Sequence, residues 1–548
     1  MPPYASVGLP RRENRYLYLV FLTSTVLLLV TLFGLQSSPS TRVAVNITQL
    51  DDAQTTHVPK QDTTQHDTPV VLEGDVLFED KDPEKPEMAE TTDRIPFTPE
   101  TKPTYPFCPR CGAGDTICRE FGDLVLRRSV AYEGTSRRLQ EKLVAAMEGN
   151  PTKFAIMGGS GTLREVAEVV GVGVVSTGRT LKDMNETFHS RTFDWWNKQF
   201  PHSGNSIVSG AKPATQSSYF AFCYAEHIPL DVDVILLEFS VNDGSPFPNP
   251  EGAGDSGAIQ AMDWLVRSLL RLPSKPAVIL ISLYSFKAGE YFNGQESHLP
   301  VVNYYDIPYI SMKNALYDYA NRHPEDIRPV LYNDGHHLSA EGHRVAAELI
   351  VHHIQRQICA LDRGEIRIDE MTLSPGRFPL ETDTDLPMVD IWTKRTGIKN
   401  FREFQPRCYT FATTASVSAT GVAAYRPSVM QGWKFWDWKK EKYYIVASVP
   451  GSLITFPIRV TQGRVFMTIF KSAMYELGDV WCWADSDKAA GTKVAGYWDS
   501  VHNIGMTVPL FEGLPEGQHD VSCEVLGSDR SSHPNNGTNF RILAIVSG

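Results

Sequence analysis

Two strongly apolar runs, Val232–Phe239 and Ala277–Leu283, constrain this chain most. Runs of this length, bounded by turn signals, are strands buried on both faces. The stretch between them, Ala258–Leu270, is patterned as a helix, so the three together form a strand–helix–strand unit with parallel strands. The alternation extends both ways. Upstream come a helix at Leu139–Met147, a strand at Phe154–Met157, a helix over 181–200, a strand at Ser206–Ser209 and a helix over 215–226. Downstream come a helix at Asn314–Asn321, a last strand at Pro329–Tyr332 and a long helix at Ala340–Cys359. About five strands alternating with helices fit an α/β, flavodoxin-like doubly wound parallel sheet.

At 548 residues the chain exceeds one ordinary core, and a second domain is expected. From Cys408 helix signals fade. Segments 443–449, 453–460, 464–470, 480–483, 505–510, 517–523 and 539–546 read as short strands between Gly/Pro turns, which implies an antiparallel β-sandwich or jelly roll. The expected division is an α/β domain at 106–365, a Pro-rich acidic linker at 366–400 and a β-sandwich at 401–548.

The N-terminus reads differently. Residues 16–35 are an apolar run of about 20 residues, enough to cross a bilayer as a helix. Arg11, Arg12 and Arg15 precede it and the next basic residue is Arg42, which keeps 1–15 cytoplasmic and sends the rest outward. Residues 36–105 are rich in Thr, Pro, Asp and Glu and cannot bury enough surface to order themselves, so they form a stem. The expectation is a single-pass type II membrane protein of the secretory pathway, Golgi or cell surface, with its folded part lumenal or extracellular. Sequons at Asn46, Asn185 and Asn536, all after the apolar run, agree with glycosylation there. The formal net charge of −12 excludes the basic face of a nucleic-acid binder.

Eight cysteines in such a compartment imply disulfides. Cys482 and Cys523 lie in strand-like segments and are able to pair, but connectivity is not legible. Cys108, Cys111 and Cys118 lack the fourth ligand of a structural zinc site, so no metal is expected there.

The chemistry gathers around Phe154–Thr162. An apolar strand ends in Gly158-Gly159-Ser160-Gly161-Thr162, and a helical pattern begins at Leu163. A serine at the carboxyl end of a strand sits where open α/β sheets hold ligands. To act as a nucleophile it needs a base, a group orienting that base and oxyanion donors. Asp334-Gly335-His336-His337 supplies an acid three residues before a histidine, on a loop leading into a helix that Ser339 can cap. Asn242 follows the strand ending at Phe239 and can turn its amide toward the same edge; Gly210, after Ser206–Ser209, can expose a backbone N–H. An α/β-hydrolase elbow is a poorer match, because Thr162 stands where its last glycine belongs. A phosphate-binding loop fails too, because Leu163-Arg164 follow the glycines. His336 and His343 read as structural neighbours rather than metal ligands.

In order and spacing these pieces resemble the SGNH (GDSL-type) hydrolase superfamily over about residues 150–360. The resemblance implies a catalytic Ser160–His337–Asp334 triad and an oxyanion hole made by Ser160 N–H, Gly210 N–H and the Asn242 side chain, with no cofactor. Three positions depart from the pattern: Gly159 replaces the aspartate of Gly-Asp-Ser, Ser240 replaces a glycine, and Leu338 stands where proline often follows the histidine. The implied activity is esterase action on small acyl esters, acetyl above all, including acylated glycans. A glycan O-acyltransferase with the same triad, and an inactive carbohydrate-binding or surface protein that keeps the fold, are the alternatives. The 513–519 run loosely resembles a turn in jelly-roll domains attached to such enzymes. Trp433, Trp436, Trp438, Trp481 and Trp483 are expected in the sandwich core, with a sugar-stacking platform as the other reading.

Overall fold

A computed structural model describes residues 105–159, 181, 184–244, 256–285, 291–365, 386–419, 421–438, 442–500 and 503–548. The apolar run at 16–35, the stem to residue 104, Asn46, Ser160 and the helix expected from Leu163 lie outside the described residues. Among the described residues no helix is long and apolar enough to cross a membrane.

The first part of the chain runs α1 (Thr116–Phe121), α2 (Asp123–Arg128), β1 (Val130–Tyr132), α3 (Arg137–Met147), β2 (Lys153–Gly158), α4 (Phe188–Gln199), β3 (Ser206–Ser209), α5 (Ser217–Cys223) and β4 (Val234–Glu238). It continues through α6 (Ser256–Leu270), β5 (Ala277–Ser282), α7 (Gly294–Tyr305), β6 (Tyr309–Ser311), α8 (Met312–Arg322), α9 (Pro324–Leu331) and α10 (Ala340–Asp362). Among the described residues the strands form one sheet in the order β1-β6-β5-β4-β2-β3. All pairs are parallel except β1 with β6. Strand order therefore reverses at β2, the switch point beside which doubly wound sheets hold ligands.

Burial alternates with the pleat. Phe154, Ile156, Val234, Leu236, Ile279 and Ile281 face one layer together with Ile350 and Ile354 of α10. Ala155, Met157, Ile235, Leu237, Val278 and Leu280 face the other, against Met262, Leu265 and Val266 of α6. Covering both faces is why these strands read as continuous apolar runs.

The expected last strand at 329–332 is corrected. Pro324–Leu331 is helix α9, and Tyr309–Ser311 takes the fifth parallel place. Pro324 at the first helical turn loses no intrahelical bond, and Glu325 and Asp326 complement the helix N-terminus. These signals outweigh the strand-like Pro-Val-Leu-Tyr that follows.

The second part comprises β7 (Arg407–Thr410), β8 (Val429–Gln431), β9 (Lys434–Trp438), β10 (Lys442–Ala447), β11 (Leu453–Val460), β12 (Arg464–Lys471), β13 (Asp479–Ala484), β14 (Thr492–Ala495), β15 (Ile504–Glu512), β16 (Gly517–Val525) and β17 (Phe540–Ser547). They form two antiparallel sheets, β15-β12-β17-β10-β9 with β7 on β17, and β14-β13-β16-β11-β8. Phe456, Ile458, Met467, Ile469, Val521 and Ile545 lie between them. Trp433 and Trp483 are buried as expected. Trp436 and Trp481 are only half-buried. Trp436 stacks on Tyr444 at 5.8 Å, with the Arg541 guanidinium 4.9 Å over its ring.

The sandwich is joined firmly to the α/β part. Phe222 of α5 stacks on Phe466 of β12 at 4.9 Å, and Trp264 of α6 on Phe404 at 5.0 Å. The described end of the linker is docked as well: Arg267 donates to the carbonyls of Pro387 and Val389 and pairs with Glu403. All eight cysteines are paired, as Cys108–Cys359, Cys111–Cys118, Cys223–Cys408 and Cys482–Cys523. The Cys223–Cys408 bond ties α5 to β7 across the two parts.

Candidate active site

The site residues that are described lie at the carboxyl edge of the parallel strands. β2 ends at Gly158, and Gly159 follows; Ser160, the expected nucleophile, is the next residue and lies outside the described residues. The side chain of Asn242, four residues past β4, lies over Gly159. Its Nδ2 is 1.9 Å from where a Cβ on residue 159 would stand, and its Cγ 2.7 Å. Only glycine leaves room for this approach. Gly159 thus stands where the Asn242 amide leaves no room for a side chain.

Asn242 is held on several sides. Its Nδ2 donates to the Thr215 carbonyl at 2.6 Å, and its own carbonyl accepts from Gln216 Nε2 at 2.9 Å. An amide nitrogen has two hydrogens, so one remains for another acceptor. The next residue, Asp243, is buried. Its Oδ1 accepts from the Ser217 N–H at the start of α5, and its Oδ2 lies 2.8 Å from His298 Nε2 on α7. His298 Nδ1 in turn lies 3.0 Å from the Tyr309 hydroxyl on β6. The Ser240 hydroxyl lies 2.9 Å from both the Glu238 carboxyl and the Leu283 carbonyl, and its one hydrogen serves one of them at a time. This explains the departure at Ser240: its hydroxyl ties the end of β4 to the segment after β5, which a glycine cannot do.

The histidine loop is fixed to the same edge. Tyr332 donates to the Tyr284 carbonyl at 2.7 Å, and His336 Nδ1 lies 2.8 Å from the Ser285 hydroxyl. Asp334 gathers the loop: Oδ1 accepts from the His336 N–H at 3.0 Å and the His337 N–H at 2.7 Å, while Oδ2 lies 2.8 Å from His337 Nδ1. Gly335 between them has φ +78°, a left-handed turn that glycine adopts without strain. Partial burial pushes the Asp334 carboxyl up, but the hydrogen bonds from the His337 backbone and ring and from His336 outweigh it and hold it at about 2. The carboxylate is thus charged at any ordinary pH and fixes the imidazole with Nδ1–H toward it, leaving Nε2 as the basic nitrogen. Ser339 caps α10, accepting from the Gly342 N–H at 3.1 Å. His343, in the first turn of α10, is buried, and its Nδ1 accepts from the Phe188 N–H at 3.2 Å. Burial, then the nearby His189, Arg191 and His337, lowers it to about 3, so it is a neutral packing residue.

One expected donor is corrected. The Gly210 N–H donates to the Ile156 carbonyl at 2.9 Å, and the Lys212 N–H to Gly158 at 3.0 Å. The ladder of β3 on β2 continues past Ser209 and consumes the N–H that the resemblance assigns to the oxyanion hole. Of the described oxyanion candidates, the Asn242 amide is the one with a hydrogen to spare. The residues that sequence reasoning missed are Asp243, His298 and Tyr309. Asp243 adjoins Asn242 and was open to notice; nothing in the sequence links His298, 55 residues further on, to it.

Of the remaining site residues, the sequon asparagines Asn185 and Asn536 are exposed.

No family model and no curated protein matches the chain. Solved structures do. A two-domain esterase active on acetylated mannans, crystallised with mannopentaose, is 18% identical, covers 77% of this chain and 97% of its own, and superposes with a TM-score of 0.53. A second structure of a two-domain esterase active on acetylated mannans gives 17% identity, 77% and 98% coverage, and the same TM-score. At this identity the likeness concerns the fold: a parallel α/β domain joined to an antiparallel β domain, as in those esterases.

Proposed function

We propose that the chain is a serine esterase of the SGNH type that removes small acyl groups, acetyl above all, from glycans. The observation that carries this reading is the Asp334–His337 hydrogen bond at the sheet edge where Asn242 covers Gly159. The two-domain fold shared with an esterase active on acetylated mannans supports the substrate class.

In this reading Ser160 Oγ attacks the acyl carbonyl while His337 Nε2 takes its proton, and Asp334 stabilises the imidazolium without accepting the proton. The Asn242 amide and the Ser160 N–H donate to the oxyanion. The C–O bond to the sugar breaks, and His337 returns the proton to the leaving sugar oxygen. Water, deprotonated by the same nitrogen, then attacks the acyl-serine and releases the carboxylic acid. No cofactor enters. We place the chain in the secretory pathway, held by residues 16–35 with Asn46, Asn185 and Asn536 glycosylated; four disulfides suit that oxidising compartment.

The test is acetate release. Purified protein incubated with acetylated manno-oligosaccharides should liberate acetate and lower the mass of the oligosaccharides by whole acetyl groups. Acetyl gained by an acceptor sugar, with no net acetate, would make it a transferase; neither gain nor loss would leave a binding protein.

A further inference from the structure

A shallow, open cleft lies where the α/β part meets the sandwich, lined among others by Lys212, Thr215, Tyr219, Lys442, Tyr443 and Tyr444. Its α/β wall is the loop after β3, the same segment that touches the candidate active site. The Lys212 N–H reaches Gly158, and the Thr215 carbonyl holds the Asn242 amide. Its other wall is β10 and the end of β7, brought up by Tyr219, whose hydroxyl lies 2.9 Å from that of Thr410.

The charge in this cleft is one-sided. Two lysines line it, and among the described residues no lining side chain is a carboxylate. The Lys212 ammonium donates to the Thr413 carbonyl at 3.3 Å and forms no ion pair among the described residues. Glu226, near enough to act on Tyr219, does not pair with it. Burial lowers Lys212 to about 8, and its charge pushes the buried His227 further below its ordinary range. Enclosing a lysine with no counter-charge is costly, and an arriving anion offsets that cost. Of the lining tyrosines, Tyr219 and Tyr444 are buried, and Tyr443 is the one partly exposed, with a flat apolar face of the kind that packs on a sugar ring.

We propose that this cleft binds the carboxylate of an acidic sugar residue, so that the preferred substrate is an acylated glycan containing uronic acid. The inference rests on the esterase reading for its glycan, and on Lys212 and the cleft for its charge. A uronate seated here lies against the loop after β3, whose Thr215 carbonyl holds the Asn242 amide, so it would hold a neighbouring acyl group near the site.

The test is calorimetric titration of the full chain with tetragalacturonate and, separately, with mannotetraose. Expected is binding of tetragalacturonate at least about tenfold tighter than mannotetraose and weakened by salt, with Lys212→Met reducing it to the neutral level and Lys212→Arg retaining it. Equal binding of the two sugars, or Lys212→Met binding like the parent, overturns the proposal. So does displacement of tetragalacturonate by equimolar inorganic phosphate, which would make the cleft a site for free anions. Hydrolysis of p-nitrophenyl acetate, too small to need the cleft, separates the two readings. Its absence in the parent protein sinks the esterase and leaves the titration to decide the cleft.

Discussion

The side-chain amide of Asn242 occupies the space that the first carbon of any side chain on residue 159 would need, with Nδ2 1.9 Å from that point. Because Asn242 is also tied to Thr215 and Gln216, a methyl group at residue 159 must push it out of place. Gly159→Ala should lower kcat/KM on p-nitrophenyl acetate by about 10²-fold, the scale of losing one oxyanion donor. Asn242→Ala should cost about as much, and the double variant little more than either alone, since one group is lost in all three. Additive losses in this cycle would mean that Gly159 acts independently of Asn242.

Asp334 gives a pH signature. Its carboxyl is held at about 2 in the folded chain, against the ordinary 3.8. A depressed acid contributes stability that is complete above its unfolded value and is lost as pH falls through its folded value. The Tm difference between the parent and Asp334→Asn should therefore stay constant from about pH 7 to 5 and close between about pH 4 and 2. Closure already near pH 6 would contradict the hydrogen-bonded carboxylate. At neutral pH the same variant should lose about 10²–10⁴ in kcat, measured on p-nitrophenyl acetate, because the imidazole loses its orienting charge.

His298 is expected to matter without touching substrate. It and Asp243 are each about 1% exposed, so His298→Ala leaves a buried carboxylate without its partner. Removing one hydrogen-bond partner from a buried polar group costs about 1–3 kcal/mol, to be read by urea denaturation. Asp243→Asn combined with His298→Gln, which removes the charge, should recover part of that loss. A positioning role requires kcat to fall in the double variant while KM holds. An unchanged kcat would confine the pair to stability.

Strands such as Val234–Glu238 and Ala277–Ser282 were legible because burial on both faces writes an unbroken apolar run. Tyr309–Ser311 was not: three residues carry no period, and its neighbours β5 and β1 make it a strand. The Asp334–His337 pair was legible because both partners sit on one short loop. The Gly210 N–H was misread because consecutive peptides of a strand point to opposite sides, and register decides which one is spent. The Asp243–His298–Tyr309 chain joins three elements that only the folded sheet brings together. The steric reason for Gly159 was hidden in the same way, since it depends on where a side chain 83 positions later comes to rest.

Fluorophosphonate labelling followed by peptide mapping tests the central claim most directly. The purified chain should take up one probe per molecule, on Ser160. Ser160→Ala should take up none, and His337→Ala should react slower by at least about 10²-fold, because the general base is gone. A parent chain that stays unlabelled, or a Ser160→Ala variant that labels as fast as the parent, would contradict a serine nucleophile at the end of β2.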